Sequence, residues 1–192
     1  MHRITALRTI RIAERSNLIW LELETDDGMT GLGESFRGAA AVEATLHDQV
    51  APWLLGRNAR QIEAVSRQLM TPYLGFDSAG AEVRAASAVD IALWDLAGQR
   101  HGIPVYEALG GGARTEIRAY NTCAGYSYNT AAVQRRDIGT ADQAAGPYDD
   151  QIAFARDAGA LAESLLAEGY AAMKIWPFDI YAPATGGHMI SL

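Results

Sequence analysis

Cysteine is nearly absent: Cys123 is the only one in 192 residues, so no internal disulfide can form and a reducing compartment, the cytoplasm, is expected. No apolar run approaches the length of a membrane span, and the opening MHRITALRTIRIAERS lacks the apolar core of a secretion signal. Positive charge is also short, 16 Lys and Arg against 23 Asp and Glu, and the net charge of −7 argues against nucleic acid or an anionic membrane as a partner. No GxGxxG follows the first predicted strand and no Walker-type loop is present, which argues against dinucleotide and nucleotide folds. The four histidines, His2, His47, His101 and His188, lack metal-ligand spacing, and there is no internal repeat. What remains is an ordinary globular balance of 49% hydrophobic and 20% charged residues, in a chain long enough for one large domain or two small ones.

The first stretch reads as an antiparallel meander. Ile4, Ala6, Ile10 and Ile12 mark a first strand whose alternation slips near Leu7. Ile19, Leu21 and Leu23 alternate with Trp20, Glu22 and Glu24 in a clearer second strand. Asp27-Gly28 supplies the hairpin turn, and Thr30 to Glu34 forms a third strand thinned by Gly31 and Gly33. Helical spacing follows. Val42, Leu46, Val50 and Trp53-Leu54 line one helix that Pro52 bends or shortens, and Ile62, Val65 and Leu69 line a second, closed by Pro72. A third runs from Ala81 to Gln99 with Val83, Ala86, Val89, Leu93 and Leu96 inward, ended by His101-Gly102 and Pro104.

At Gly110-Gly111-Gly112 the pattern changes, which places a boundary between domains at 1–112 and 113–192. Ile117 to Cys123 reads as a strand and Ala124 to Pro147 as a long polar loop. Asp149 or Asp150 caps a helix with Ile152, Ala155, Ala158, Leu161 and Leu165 on its inner face. Gly169 ends that helix, and Ala171 to Trp176 is a second strand, parallel to the first. The expected fold is an α+β domain, a three-stranded antiparallel meander plus a helical bundle, followed by one β-α-β unit of an α/β barrel or an open parallel sheet.

The stretch AASAVDIALWDLAGQRHGIPVYEALGG, Ala85 to Gly111, resembles the signature region of the mandelate racemase and muconate-lactonizing branch of the enolase superfamily. GMTGLGES, Gly28 to Ser35, resembles the third-strand motif of that family's N-terminal capping domain. Ala108 stands where the family usually has leucine. The resemblance covers the whole chain but only about the first half of a family member. It implies a capping domain followed by the first β-α-β of an incomplete (β/α)-barrel, with chemistry at the C-terminal ends of the barrel strands. It also implies abstraction of the proton α to a carboxylate, with the enediolate held on Mg²⁺, on hydroxy acids or acid sugars. Dehydration is the favoured outcome.

In that family the metal-binding carboxylates come from the third to fifth barrel strands, beyond Leu192. The chain by itself is therefore expected to offer no metal ligands, to bind no Mg²⁺ tightly and to be inactive. The alternative is a noncatalytic capping or oligomerisation module, or a complementing half. A homo-oligomer follows from exposed strand edges.

Lys174 aligns with the first lysine of the family's Lys-x-Lys motif, which implies carboxylate binding; a lysine snorkelling to solvent is the plain alternative. Trp176 stands where the second, basic lysine would be, so it forms a wall of the site or only packs the barrel mouth. Tyr73, Phe76 and Asp77, with Arg15 and Asn17 in the Ala13 to Asn17 loop, fall on loops that close over substrate in the family, or else on plain surface. Asn121 and Cys123 lie at the end of the first barrel strand, Asn121 at the barrel mouth and Cys123 more in keeping with packing. Asp90 and Asp95 point in different directions on their helix and are expected to make structural contacts between cap and barrel.

Overall fold

A computed structural model of the chain describes residues 2–71, 80–112, 114–124 and 150–177. The chain divides into two compact units, Met1–Ala113 and Arg114–Leu192.

The first unit is built on a three-stranded antiparallel sheet in the order β1-β2-β3, with β1 at Ile4–Ile10, β2 at Leu18–Thr25 and β3 at Thr30–Phe36. In β2 the alternation is strict, with Ile19, Leu21, Leu23 and Thr25 buried. Gly28 turns the β2–β3 hairpin at φ 82°, and its N–H donates to the Thr25 carbonyl at 2.9 Å. The first strand departs from its simple reading. Ile4 pairs with Thr25 but Ala6 pairs with Glu24, so an extra residue bulges out and the faces exchange beyond it. Leu7 therefore packs against the core, while Ile10 and Ile12 are exposed.

The helices cover one face of the sheet. Helix α1 (Ala39–Thr45) continues through a π turn, Leu46–Val50, into α2 (Ala51–Leu54). The Ala51 N–H reaches back to the Leu46 carbonyl, one residue beyond the α-helical partner. Pro52 immediately follows, with no N–H to continue the ladder, and the expected bend takes the form of this wider turn. Helix α3 spans Ile62–Met70 and α4 spans Ala81–His101, two residues longer than its pattern suggests. The α4 stop is a left-handed Gly102 at φ 65°, with the Ile103 N–H donating to the Gly98 carbonyl at 3.1 Å. A short α5, Val105–Ala108, follows Pro104.

α4 packs chiefly on β3, and the two strand glycines are the reason. A Cβ on Gly33 would lie 2.0 Å from the Ala88 carbonyl oxygen, and one on Gly31 would lie 2.3 Å from that of Ala92. The glycines read as thinning β3 are contact points where helix backbone meets strand backbone. Ile4, Ile19, Leu21, Leu23, Val42, Leu46, Val89 and Leu93 make up much of the core between these layers.

In the second unit, the expected strands at 117–123 and 171–176 reduce to one parallel bridge among the described residues, Asn121 to Met173. The Asn121 N–H donates to the Ala172 carbonyl at 3.1 Å, and the Lys174 N–H donates to the Asn121 carbonyl at 2.8 Å. From Ile117, 85% exposed, through Tyr120 the segment lies open, and burial begins only near the bridge, at Asn121 and Cys123. A parallel pair gains its stability from burial on both faces, and the ladder stops where that burial stops.

Helix α6, Asp150–Ala167, lies between the bridge partners in sequence. Asp150 is its first residue, and Asp149 lies outside the described residues. Asp157 breaks the helix with φ −154° and ψ 93°, and its Oδ1 accepts the Ala160 N–H at 3.0 Å. That is an N-cap, which restarts the helix and resets the phase of its buried face. Phe154 is buried in the first segment, where Ala155 was expected, and Ala155 is exposed. Leu161 and Leu165 are buried as their spacing predicts. Gly169, at φ 96°, closes the helix as read, with the Tyr170 N–H donating to the Leu165 carbonyl at 2.9 Å. No helix among the described residues is long and apolar enough to cross a membrane.

Candidate functional site

The residues expected to carry chemistry in the second unit gather around the parallel bridge. Asn121 is its hub. Besides the two backbone bonds of the bridge, its Nδ2 donates to Asp150 Oδ2 at 2.9 Å, and its Oδ1 accepts the Cys123 N–H at 2.7 Å. One side chain thus ties the first residue of α6 to the segment around Cys123, while the backbone of the same residue holds the other strand. Read as a barrel-mouth residue, Asn121 is occupied by holding the backbone rather than left open to solvent.

Lys174 follows the bridge residue and is exposed. Its Nζ lies 5.2 Å from the centre of the Trp176 ring and 6.0 Å from that of Tyr120. Both distances fall within reach of a cation–π attraction, so the ammonium rests against two aromatic faces while its charge meets water. Such a group can receive a carboxylate in a charge-assisted hydrogen bond. Met173 and Ile175, on the opposite side of the stretch, pack against the cluster of Cys123, Phe154, Leu161 and Leu165, as the alternation requires. Trp176 is half-buried and touches that same cluster, so it bridges core and cation.

Cys123 is fully buried and sits at φ 48°, a rare backbone setting for a side-chain-bearing residue. Burial pushes its thiol above the usual range, and the nearby Asp150 carboxylate adds to the rise. A buried, protonated thiol is a poor nucleophile, which fits packing. Sequence reasoning missed Tyr120 and the link from Asp150 to Asn121. The usable signal is the pair of acids opening the helix that connects two strand ends, a pattern that serves equally as a cap.

In the first unit, Arg15 is the half-buried last residue of a 3-10 turn, Ala13–Arg15. Asn17 is only 3% exposed, and its carbonyl accepts the Arg37 N–H at 2.9 Å. Tyr73, Phe76 and Asp77 lie outside the described residues, as does the polar loop from 125 to 149. Asp90 and Asp95 make their contacts inside this unit. Asp90 accepts the Ser66 hydroxyl, and Asp95 accepts the Leu32 N–H at 2.8 Å.

Among the described residues, only His2, Asp26 and Asp27 bring three candidate ligand atoms within 4.8 Å of one another, as a Mg²⁺ site would need. Asp27 already accepts Arg100 at 2.9 Å and the Thr25 hydroxyl at 2.5 Å. Mg²⁺ demands an octahedral oxygen shell, and a guanidinium at that distance opposes a second cation. The set does not fit, and Asp150 alone makes no site at the bridge.

Residues 4–110 match the family described as Mandelate racemase / muconate lactonizing enzyme, N-terminal domain. A D-galactonate dehydratase family member from Catenulispora acidiphila is 37% identical over 141 residues, which are 71% of this chain and 32% of that protein. A D-mannonate dehydratase from Novosphingobium aromaticivorans is 34% identical over 152 residues, 77% of this chain and 35% of that protein. Among solved structures, an enolase protein from environmental sequencing of the Sargasso Sea is 57% identical with a TM-score of 0.79, covering 100% of this chain and 44% of that one. The chain thus spans about a third of the length of these curated relatives.

Proposed function

Because this chain belongs to the mandelate racemase / muconate lactonizing enzyme family, as its N-terminal portion, we propose that it supplies the capping domain and first barrel elements of a Mg²⁺-dependent acid-sugar dehydratase. Domain boundaries at 1–112 and 113–192 follow from that reading. The dehydratases among its relatives support the reaction class, and the observation that carries a residue-level role is Lys174 on its aromatic floor. Its ammonium binds the substrate carboxylate and offsets the charge that grows when the α-proton leaves. Asn121 and Asp150 hold the backbone from which Lys174 projects. Trp176 walls the site, and the loops around Arg15 and Tyr73 to Asp77 set specificity.

The described residues form no Mg²⁺ site, and Lys174 serves the carboxylate rather than the α-proton. Turnover is expected of a longer chain and not of these 192 residues alone.

A chimera tests this directly: residues 1–177 replace the equivalent part of the D-galactonate dehydratase relative, and formation of the 2-keto-3-deoxy acid is followed. An active chimera whose Lys174→Ala variant raises KM about tenfold or more supports the carboxylate role. Unchanged KM and kcat in that variant would reject it, and Mg²⁺-dependent turnover by the 192-residue chain would reject the division of labour.

A further inference from the structure

The signature helix α4 does something to β3 that the proposed reaction does not require. β3 is an edge strand, and its outer backbone groups would ordinarily offer a template for another strand. Thr30, Leu32, Glu34 and Phe36 share the orientation that faces away from β2, since backbone direction repeats every second residue. Three of those outward groups are taken by side chains of α4. Asp95 Oδ2 accepts the Leu32 N–H at 2.8 Å, and Gln99 Nε2 donates to the Thr30 carbonyl at 2.9 Å. Arg84 Nη1 donates to the Phe36 carbonyl at 2.7 Å. Gln99 also donates to Asp95 Oδ2 at 2.9 Å, so two of the three brace each other.

The close approach that makes this possible comes from Gly31 and Gly33, which let the Ala88 and Ala92 turns of α4 rest on the strand itself. With the helix axis over the edge strand, side chains on its flank can reach around to the strand's open side. Leu32, 50% exposed beside these bonds, is the residue that an added strand would cover.

We propose that Asp95, Gln99 and Arg84 are edge guards: they occupy the outward backbone groups of β3 and so keep a second copy of this chain from pairing β3 to β3. The inference is independent of the dehydratase reading.

The test uses the full chain, with self-association followed by sedimentation across a concentration series and Leu32 amide exchange measured alongside. The Asp95→Ala/Gln99→Ala variant leaves two outward groups without partners. It is expected to associate about tenfold more tightly than wild type, with Leu32 exchange slowing as concentration rises. Asp95→Asn keeps an oxygen acceptor and is expected to behave as wild type. A folded double variant that associates like wild type overturns the proposal, as does tighter association that leaves Leu32 exchange unslowed. If the double variant does not fold, Gln99→Ala alone, at an exposed residue, decides: about threefold tighter association supports the guards, and none rejects them.

Discussion

The two units solve the same problem, burying the apolar side of extended chain, with unequal success among the described residues. In the first, three strands close onto one another through a hairpin and a short connection, and α4 seals them with Val89, Ala92, Leu93 and Leu96. In the second, two strand ends meet at one bridge over a small cluster of Cys123, Phe154, Leu161 and Leu165. Antiparallel neighbours pair locally and tolerate a solvated face, whereas a parallel pair needs a long crossover and cover on both sides. The first unit is held by a large shared core, while the described part of the unit holding Lys174 rests on a small cluster and a few side-chain ties.

The largest blow to that contrast should come at Gly33. Alanine there sets a Cβ 2.0 Å from the Ala88 carbonyl, a backbone atom that cannot rotate away. Gly33→Ala is expected to destabilise the first unit by about 4 kcal/mol, read as a lower urea midpoint in Trp20, Trp53 and Trp94 emission in a Trp176→Phe background. An unchanged midpoint would mean that α4 can lift from β3 at little cost, and the backbone-contact account would fail.

Next in size is the second unit's own cluster. Leu161 is 2% exposed, and Leu161→Ala should cost about 3 kcal/mol there. With so few buried partners, that loss should abolish the Trp176 signal while the first unit's transition stays in place. A coupled shift of both transitions would show that the units are not independently stable. Asn121→Ala comes third, at about 1–2 kcal/mol, because it removes the donor to Asp150 and the acceptor for the Cys123 N–H. Its readout is amide exchange at Lys174, which should speed up while exchange within β2 does not change.

The difference between the units also sets how much of each was legible in the sequence. Ile19, Leu21 and Leu23 alternate without a break, so β2 and its buried face could be read directly, and Asp27-Gly28 named the turn. The β1 bulge could not be placed, because an inserted residue leaves only a slipped alternation at Leu7 with no sign of which side wins. In α6, Asp157 looks like any polar helix residue until its side chain caps Ala160, so the buried face was drawn through Ala155 instead of Phe154. The strand at 117–123 was read from composition, but pairing depends on cover that a short segment cannot encode. At the site, Lys174 was visible through its motif. The work of Asn121 was not, because a hub is defined by what lies around it in space.

Acid offers the smallest and finest probe of the comparison. Among the described residues, the carboxylates held below their usual range, Asp27 and Glu43, both belong to the first unit. The Thr25 hydroxyl bonded to Asp27, followed by His2 and Arg100, holds that carboxyl at about 2, against an opposing effect of burial. A carboxylate whose pKa is lower in the folded state lends stability above its unfolded value, and that stability is lost as pH falls through the folded value. The Asp27 contribution should therefore be whole above its ordinary 3.8 and fade as pH drops toward about 2. Asp27→Asn removes the titrating charge while keeping the side chain's shape. In the Trp176→Phe background, the variant should be modestly less stable at neutral pH and flatter than its parent through that acid window. A variant with the parent's slope would place the first unit's acid sensitivity elsewhere, with Glu43, bound by Arg11 at 3.0 Å, the next group to change.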